Sequence, residues 1–427
     1  MSNIKQRTDG FNNAVLGNGR RSTDVYSNFG LGVNSNYIDD QTLTNNFANT
    51  GIVHKIIAIP AEDAMRKGFS IKSKDENYND EPLQSIYEDL QLKEHCIDAL
   101  MWDRLYGGAL IVFLVDDGGT LEEELNYNAV KRIAEMRVFD AASVTVLEHN
   151  LDTSSLDYGS PILYMVQNEY GGSFAVHASR CVWLDGEPTP PFQRKALDRR
   201  GGRVLDRINR DVLNYNVTLR NVLMIIERIS QGVLKFSGMV NILQTPEGEE
   251  LIRKRVHQVD MCRSIDNTVV IDAEDDYQQH NLSVSGLNQI LQEYQTALSA
   301  VSEIPVTVLF GRSPGGLYST GESDLENYYN MVSRIQETKL KPIILFVNQL
   351  LSVALDVTVE IPEEYNIEFN PLWNLNEKDV AEVSKIKIDT EKVEVDNLVS
   401  LYGVGALTSD EIRNYIGKKD KYDIEDE

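Results

Sequence analysis

The most restrictive feature of this chain is the meeting of a helix-breaking stretch with a long helical period. Gly311, Pro314, Gly315, Gly316 and Gly321 crowd one loop, and from Glu322 to about Leu355 apolar residues then recur at three-four spacing. Glycine frees the loop from ordinary steric limits, and the helix behind it would be about 50 Å long at 1.5 Å per residue. Pro342 lies inside that helix without an amide hydrogen to give it, so the sequence predicts a kink there.

With 42% hydrophobic and 25% charged residues, the 427-residue chain can bury a sizeable core in two or three packed units. Its net charge of −25, from 66 acidic against 41 basic residues, argues against a sequence-reading DNA binder with a dominant basic face. Cys96, Cys181 and Cys262 are odd in number, far apart and form no CxxC pair, which indicates neither a disulfide framework nor a zinc knuckle and points to a reducing compartment. The longest apolar run, Ala109 to Val115, is far short of the roughly 20 residues of a membrane helix. The Asn-rich start has no apolar signal-peptide core, so the chain reads as neither exported nor membrane-spanning.

Along the chain, residues 1–45 are too polar to offset their ordering entropy and read as an arm that is mobile until held. Apolar spacing predicts helix from Phe47 to Phe69, bent or broken at Pro60 into two short pieces, and a second helix from Pro82 to Leu105 ended by Gly107 and Gly108. Ala109 to Val115, Met136 to His149, Pro161 to Glu169 and Phe174 to Leu184 read as strands of an antiparallel sheet. Asp206 to Gln231 reads as helix and Val233 to Phe236 as extended. A helix from Thr245 to about Arg263, a β-like insertion from Thr268 to Ser285 and a helix carrying Leu287, Ile290, Leu291, Tyr294, Leu298 and Val301 follow. Val357 to Phe369 predicts one or two strands, Asn376 to Leu401 and Thr408 to Ile416 predict helix, and Lys418 to Glu427 should fray. The fold class is α+β.

The loop and its flanks, with Ile304-Pro305, Leu309-Phe310-Gly311, Ser313-Pro314, Gly316-Leu317, Thr320-Gly321-Glu322, Asp324 and Tyr328-Tyr329, resemble the portal proteins of tailed bacteriophages. Leu105-Tyr106-Gly107-Gly108-Ala109, Arg137-Val138-Phe139-Asp140, His177-Ala178-Ser179-Arg180 and Phe369-Asn370-Pro371-Leu372-Trp373 match in the same order, so the likeness spans roughly residues 47–416. It implies a portal-like subunit: a flexible arm over 1–45, an α+β wing over 46–245, two stem helices over 246–263 and 286–302, and a small β-containing clip over 264–285. A tunnel loop, long kinked helix and return wing strands would occupy 303–375, helical crown 376–416 and a charged tail 417–427. The same resemblance implies a homo-oligomeric ring, usually of twelve copies, at one capsid vertex of the virion, assembled from host cytoplasm. Its partners would be the terminase large subunit, head-completion or adaptor proteins, major capsid or scaffolding protein, and double-stranded DNA passing non-specifically, with no membrane, no cofactor and no catalytic step of its own.

Gly311, Arg312, Ser313, Pro314, Gly315, Gly316 and Tyr318 are the candidate tunnel loop. They lack the Gly-Lys-Ser/Thr ending of a phosphate-binding loop, and either Arg312 offers DNA one phosphate contact per subunit or the loop is a plain connection with Arg312 solvated. The basic run that includes Arg199, Arg200, Arg203 and Arg207 is interleaved with Asp198 and Asp206. Contact with a neighbouring subunit's acidic face is preferred for it, ahead of solvation and of DNA contact. Leu287 and Tyr294 are further interface candidates, and Pro342 is the kink. Asp272, Glu274, Asp275, Asp276 and His280 match no standard metal loop and read as a solvated surface, and His177 reads as structural. Two other functions stand beside this one: a minor capsid or adaptor protein, and a metal-dependent nucleic-acid-cleaving enzyme testable at Asp272 and Asp276.

Overall fold

Helix α1 (Asp40–Asn49) begins where the Asp39 carboxylate accepts the Thr42 N–H at 2.7 Å and the Thr42 hydroxyl at 2.8 Å. Its Leu43 is fully buried, and the Thr44 hydroxyl meets the Tyr106 hydroxyl at 2.8 Å, so the end of the expected mobile arm is held in place. The computed structural model describes residues 38–73, 78–196, 200–235, 276–281, 286–312 and, apart from 358, 360 and 363, 321–372, with helical residues at 248, 250–254, 257, 385 and 392. The chain divides into a unit ending at Phe369, which holds every element named below, and a unit from Asn370 to Glu427. Apart from the helical Lys385 and Lys392, the expected crown and tail lie outside the described residues.

Thr50, in extended conformation, separates α1 from α2 (Gly51–Arg66), which runs unbroken through Pro60. The break expected at Pro60 is therefore ten residues earlier, and the reason is a hydrogen bond the sequence hides. Pro60 cannot donate to the carbonyl of Ile56, four residues back, but the buried Arg104 Nη2 does so at 3.0 Å. A residue of another helix thus replaces the donor that proline lacks.

After β1 (Phe69–Ser73), the single helix expected from Pro82 to Leu105 is two, α3 (Glu81–Asp89) and α4 (Leu92–Tyr106). Gln91, at a φ of 50°, divides them. The left-handed residue resets the inward face, so that Leu83 and Tyr87 before it and Leu92, Cys96 and Leu100 after it are all buried.

The expected sheet is two sheets. β2 (Ala109–Asp116) lies between β3 (Arg132–Asp140) and β7 (Cys181–Leu184), whereas β5 (Pro161–Gln167) lies between β4 (Val144–His149) and β6 (Ser173–His177), all antiparallel. Two of the sequence's strand runs change sheet midway. At Asp140 the carboxylate accepts the Ser143 N–H at 2.9 Å, and at His177 Nδ1 accepts the Ser179 N–H at 3.2 Å, each holding a one-turn corner. Leu110 and Val112 of the first sheet share one core with Val144, Tyr164, Val166 and Val176 of the second.

Beyond them come α5 (Pro191–Ala196), α6 (Val204–Ile229), β8 (Ser230–Lys235), β9 (Asp276–Asn281), α7 (Leu287–Ser302) and α8 (Val306–Phe310). The long helix follows as α9 (Glu322–Ile335), a π-helical turn over Gln336–Leu340 and α10 (Lys341–Val353), with β10 (Tyr365–Phe369) returning to pair antiparallel with β1. Pro342 stands in the first turn of α10, directly after the π turn. In the widened turn the Lys341 N–H donates to the Gln336 carbonyl five residues back, and buried Gln336 donates from Nε2 to the Ala64 carbonyl at 2.8 Å, pinning the irregularity to α2.

Three glycine segments meet where α4 ends. The Gly107 carbonyl accepts the Gly201 N–H at 2.8 Å, and a Cβ on Gly186 would lie 2.6 Å from that same carbonyl oxygen and 2.8 Å from the Gly202 oxygen. Backbone cannot yield as a side chain can, so Gly186→Ala is expected to destabilise the chain by roughly 3 kcal/mol or more in urea unfolding. A loss under about 1 kcal/mol would contradict this three-way contact.

Candidate functional site

Two rods and the base of the glycine-rich loop form the candidate site. α7 packs along α6, and the strands that extend them pair antiparallel from Ser230 opposite Asn281 to Lys235 opposite Asp276. The described residues between 248 and 257 are helical, as expected for that stretch, and among the described elements the helix packed along α7 is α6. β9 falls in the region expected as clip and joins a strand from the region expected as wing.

Each rod leaves an apolar stripe uncovered. On α6 it is Leu213, Val217 and Met224, at 54%, 49% and 39% exposure, and on α7 it is Ile290, Tyr294 and Val301, at 48%, 38% and 44%. Both sets step by four and then seven residues, which keeps three side chains on one helical face. Inward, Val212 and Val222 of α6 are buried away from its stripe, whereas on α7 the buried Leu298, four residues beyond Tyr294, flanks the open stripe on the same side of the rod. Tyr294 is thus on the open stripe, while Leu287 is half-buried at the start of α7.

α8 ends at Gly311, whose φ is 67°, and Arg312 folds back onto α7, donating from Nη1 to Gln295 Oε1 at 3.3 Å. With its amide turned, Gln292 offers the same guanidinium a second acceptor. At the other end, Gly321 has a φ of 68° and its carbonyl accepts the Leu325 N–H at 3.1 Å, opening α9. Ser313, Pro314, Gly315, Gly316 and Tyr318 lie outside the described residues. The loop's two anchors are consequently left-handed glycines, a conformation that side chains oppose.

The basic run is corrected in part. Arg203 is 3% exposed, donating from Nη1 to Asp40 at 3.1 Å and from Nε to Asp206 at 2.9 Å. Arg200 donates to the other Asp40 oxygen at 3.0 Å, and the more exposed Arg207 reaches Glu187 at 3.4 Å. Buried within its own chain, Arg203 cannot present itself to a neighbour, and Arg200 already has its carboxylate. Arg199 lies outside the described residues.

A half-open cleft of about 770 Å³ lies between the 185–189 loop, the start of α6, the end of α7 and the α9–π junction. Arg194 pairs there with Asp185, Arg207 with Glu187, Lys339 with Asp103 at 3.2 Å and Arg334 with Glu303 at 3.5 Å. Arg104 also lines the cleft, is 7% exposed, and has an Nε with no partner. Burial lowers the Arg104 guanidinium from its ordinary range against the pull of Glu187 and Asp103, and burial raises the Asp103 carboxyl against the pull of Lys339. Nothing in the run of sequence around Arg104 marks it. The signal that could have found it is Pro60, whose helix needs a donor from elsewhere.

His177 behaves as read from the sequence: Nδ1 lies 2.8 Å from Ser179 Oγ, which accepts the Leu125 N–H at 2.8 Å, so the side chain builds a corner. Asp272, Glu274 and Asp275 lie outside the described residues, and among the described residues no three His, Cys, Asp or Glu side chains converge as a metal-binding set. Also among them, no helix is long and apolar enough to cross a membrane.

Comparison with known proteins places these features. The chain is 29% identical over 303 residues to anti-CBASS protein Acb1 of Caulobacter sp. (strain RHG1), a match covering 68% of this chain and 48% of that protein. It is also 25% identical over 368 residues to an uncharacterised protein of Haemophilus influenzae, covering 85% of this chain and 81% of that protein. The chain therefore spans about half the length of the first of these relatives and most of the second. In fold it resembles a chain from the neck of an empty gene transfer agent particle computed with C6 symmetry, at a TM-score of 0.54 and 12% identity, covering 93% of this chain and 98% of that one. The profile of the family described as phage portal protein matches residues 41–393, which takes in both sheets, both rods, the loop and the long helix, and by that match the chain belongs to the phage portal protein family.

Proposed function

We propose that copies of this chain pack side by side through α6 and α7 into a closed ring at one vertex of a virion, forming the channel through which double-stranded DNA is packaged and ejected. The observation that carries this reading is the pair of uncovered apolar stripes on the rods of a portal-family chain. Single exposed apolar residues are ordinary on a protein surface, but a row of them on each of two adjacent helices favours burial against another copy. A heterologous contact of this kind, repeated through a closing rotation, gives a ring.

The acidic balance suits that role. A channel that gripped phosphate would stall DNA, whereas a net charge of −25 per copy favours release, felt over a screening distance of about 8 Å by whatever charges face the lumen. Gly311 and Gly321 would hold the tunnel loop, with Arg312 as its one cation near DNA or folded against Gln295 when DNA is absent. Terminase would supply ATP-driven work, and terminase, head-completion proteins and capsid or scaffolding protein would dock on the ring. The chain itself performs no catalysis in this reading, and the activity named for the Caulobacter relative is not carried over to a chain spanning 48% of it.

Native mass measurement and end-on imaging of the purified chain test the reading. A single closed ring with an aperture wide enough for a duplex is expected. A chain that stays monomeric across salt and concentration would remove it.

A further inference from the structure

In the cleft beside Arg104, four cations each have a carboxylate of their own chain and the fifth does not. Arg194, Arg207, Arg334 and Lys339 are matched with Asp185, Glu187, Glu303 and Asp103, whereas Arg104 donates from Nη2 to the Ile56 carbonyl. Arg104 is more than nine-tenths buried, lines the cleft and holds an unpartnered Nε. Glu187 and Asp103 pull on this guanidinium from a distance, but no carboxylate contacts it; a buried cation with an unpartnered N–H is costly, and an anion entering the cleft would relieve it.

We propose that this cleft is completed by an Asp or Glu side chain from a second copy of the chain, which enters between α7 and the 185–189 loop and pairs with Arg104. The inference rests on the ring reading and adds a polar contact to its apolar stripes. The cleft is far larger than an isolated oxyanion, and Val301 and Met331 line it, so it fits a polypeptide segment better than a free ion. Val301 is also the last member of the α7 stripe, which makes the cleft continuous with the face proposed to meet the neighbour. The neighbour has charge to offer, with 66 acidic residues against 41 basic. An incoming carboxylate would find the unpartnered Nε–H of a guanidinium that is itself buried, a charge-assisted bond of the kind that discriminates between docking registers.

Arg104 also props up α2, so its removal alone could unfold the chain. Pro60→Ala separates the two roles, because the restored N–H at position 60 supplies the Ile56 carbonyl with its helical donor. Wild type, P60A, P60A/R104M and P60A/R104K are to be compared by mass photometry across a dilution series, with thermal melts of the monomers as a control. Wild type and P60A are expected to form rings alike. P60A/R104M should melt with P60A yet need a roughly 30-fold higher concentration to assemble, and P60A/R104K, which keeps a cation, should recover part of the loss. Rings of P60A/R104M persisting to the same dilution as those of P60A would overturn the proposal and leave Arg104 as a helix prop while the ring reading stands. Absence of rings from wild type would remove both.

Discussion

Aspartate at Val217 and Ile290 together is expected to abolish assembly while leaving the monomer folded. The two side chains are 49% and 48% exposed in the single chain, so the substitutions should cost its folding less than about 1 kcal/mol. In a ring the same positions would be covered, and each contact would then bury two carboxylates with no cation prepared for them. Such burial costs several kcal/mol per interface, enough to weaken association by about 1,000-fold or more. Sedimentation velocity on wild type and the V217D/I290D variant reads the effect directly. Rings of the variant at wild-type concentrations would show that α6 and α7 do not face a neighbour.

The second large effect is expected inside one chain. Asp117 and Arg180 form a pair at 2.7 Å with side chains 0% and 1% exposed, and Asp117 also accepts the N–H groups of Asn126 and Gly119 at 3.0 and 3.1 Å. Arg180 additionally donates from Nε to the Glu123 carbonyl at 2.8 Å, tying the turn after β2 to the corner between β6 and β7. Asp117→Ala leaves a buried guanidinium and two orphaned N–H groups, an expected loss of about 3–5 kcal/mol in urea unfolding.

The pH dependence has a definite sign. Burial would raise the Asp117 carboxyl, but the Arg180 guanidinium and the two N–H groups more than offset it and hold the group below the ordinary carboxylate value. The stabilisation is therefore complete above the unfolded value and is lost as pH falls through the lower, folded one. The gap between wild type and D117A should narrow as the solution is taken below about pH 4. A gap that stays constant into strong acid would mean that the carboxylate's charge is not what stabilises the turn.

Much of the site was legible in the sequence, and its gaps have physical causes. Three-four spacing located α6 and α7 to within a few residues because an amphipathic helix writes its buried face directly into the chain. The same rule located the long helix, and the order of the loop motif with its flanks pointed to the portal family that the 41–393 match shows. Arg203 was misjudged because its partner Asp40 is 163 residues away and local spacing showed only Asp206. The two-sheet arrangement escaped for a related reason: a corner of three residues at Ala141–Ser143 or Ala178–Arg180 hardly disturbs an apolar alternation, yet it moves the next strand to a different sheet.

Element type and the extents of α6, α7 and the long helix were thus determined by the amino-acid order itself, because backbone propensity and apolar period act over a few residues. Which strand joined which sheet, which carboxylate met each arginine and how α2 survives Pro60 were decided by the tertiary structure. Those choices depend on groups brought together from distant parts of the chain, as Arg104 and Ile56 are across 48 residues, and burial makes each unmatched group too costly to leave alone.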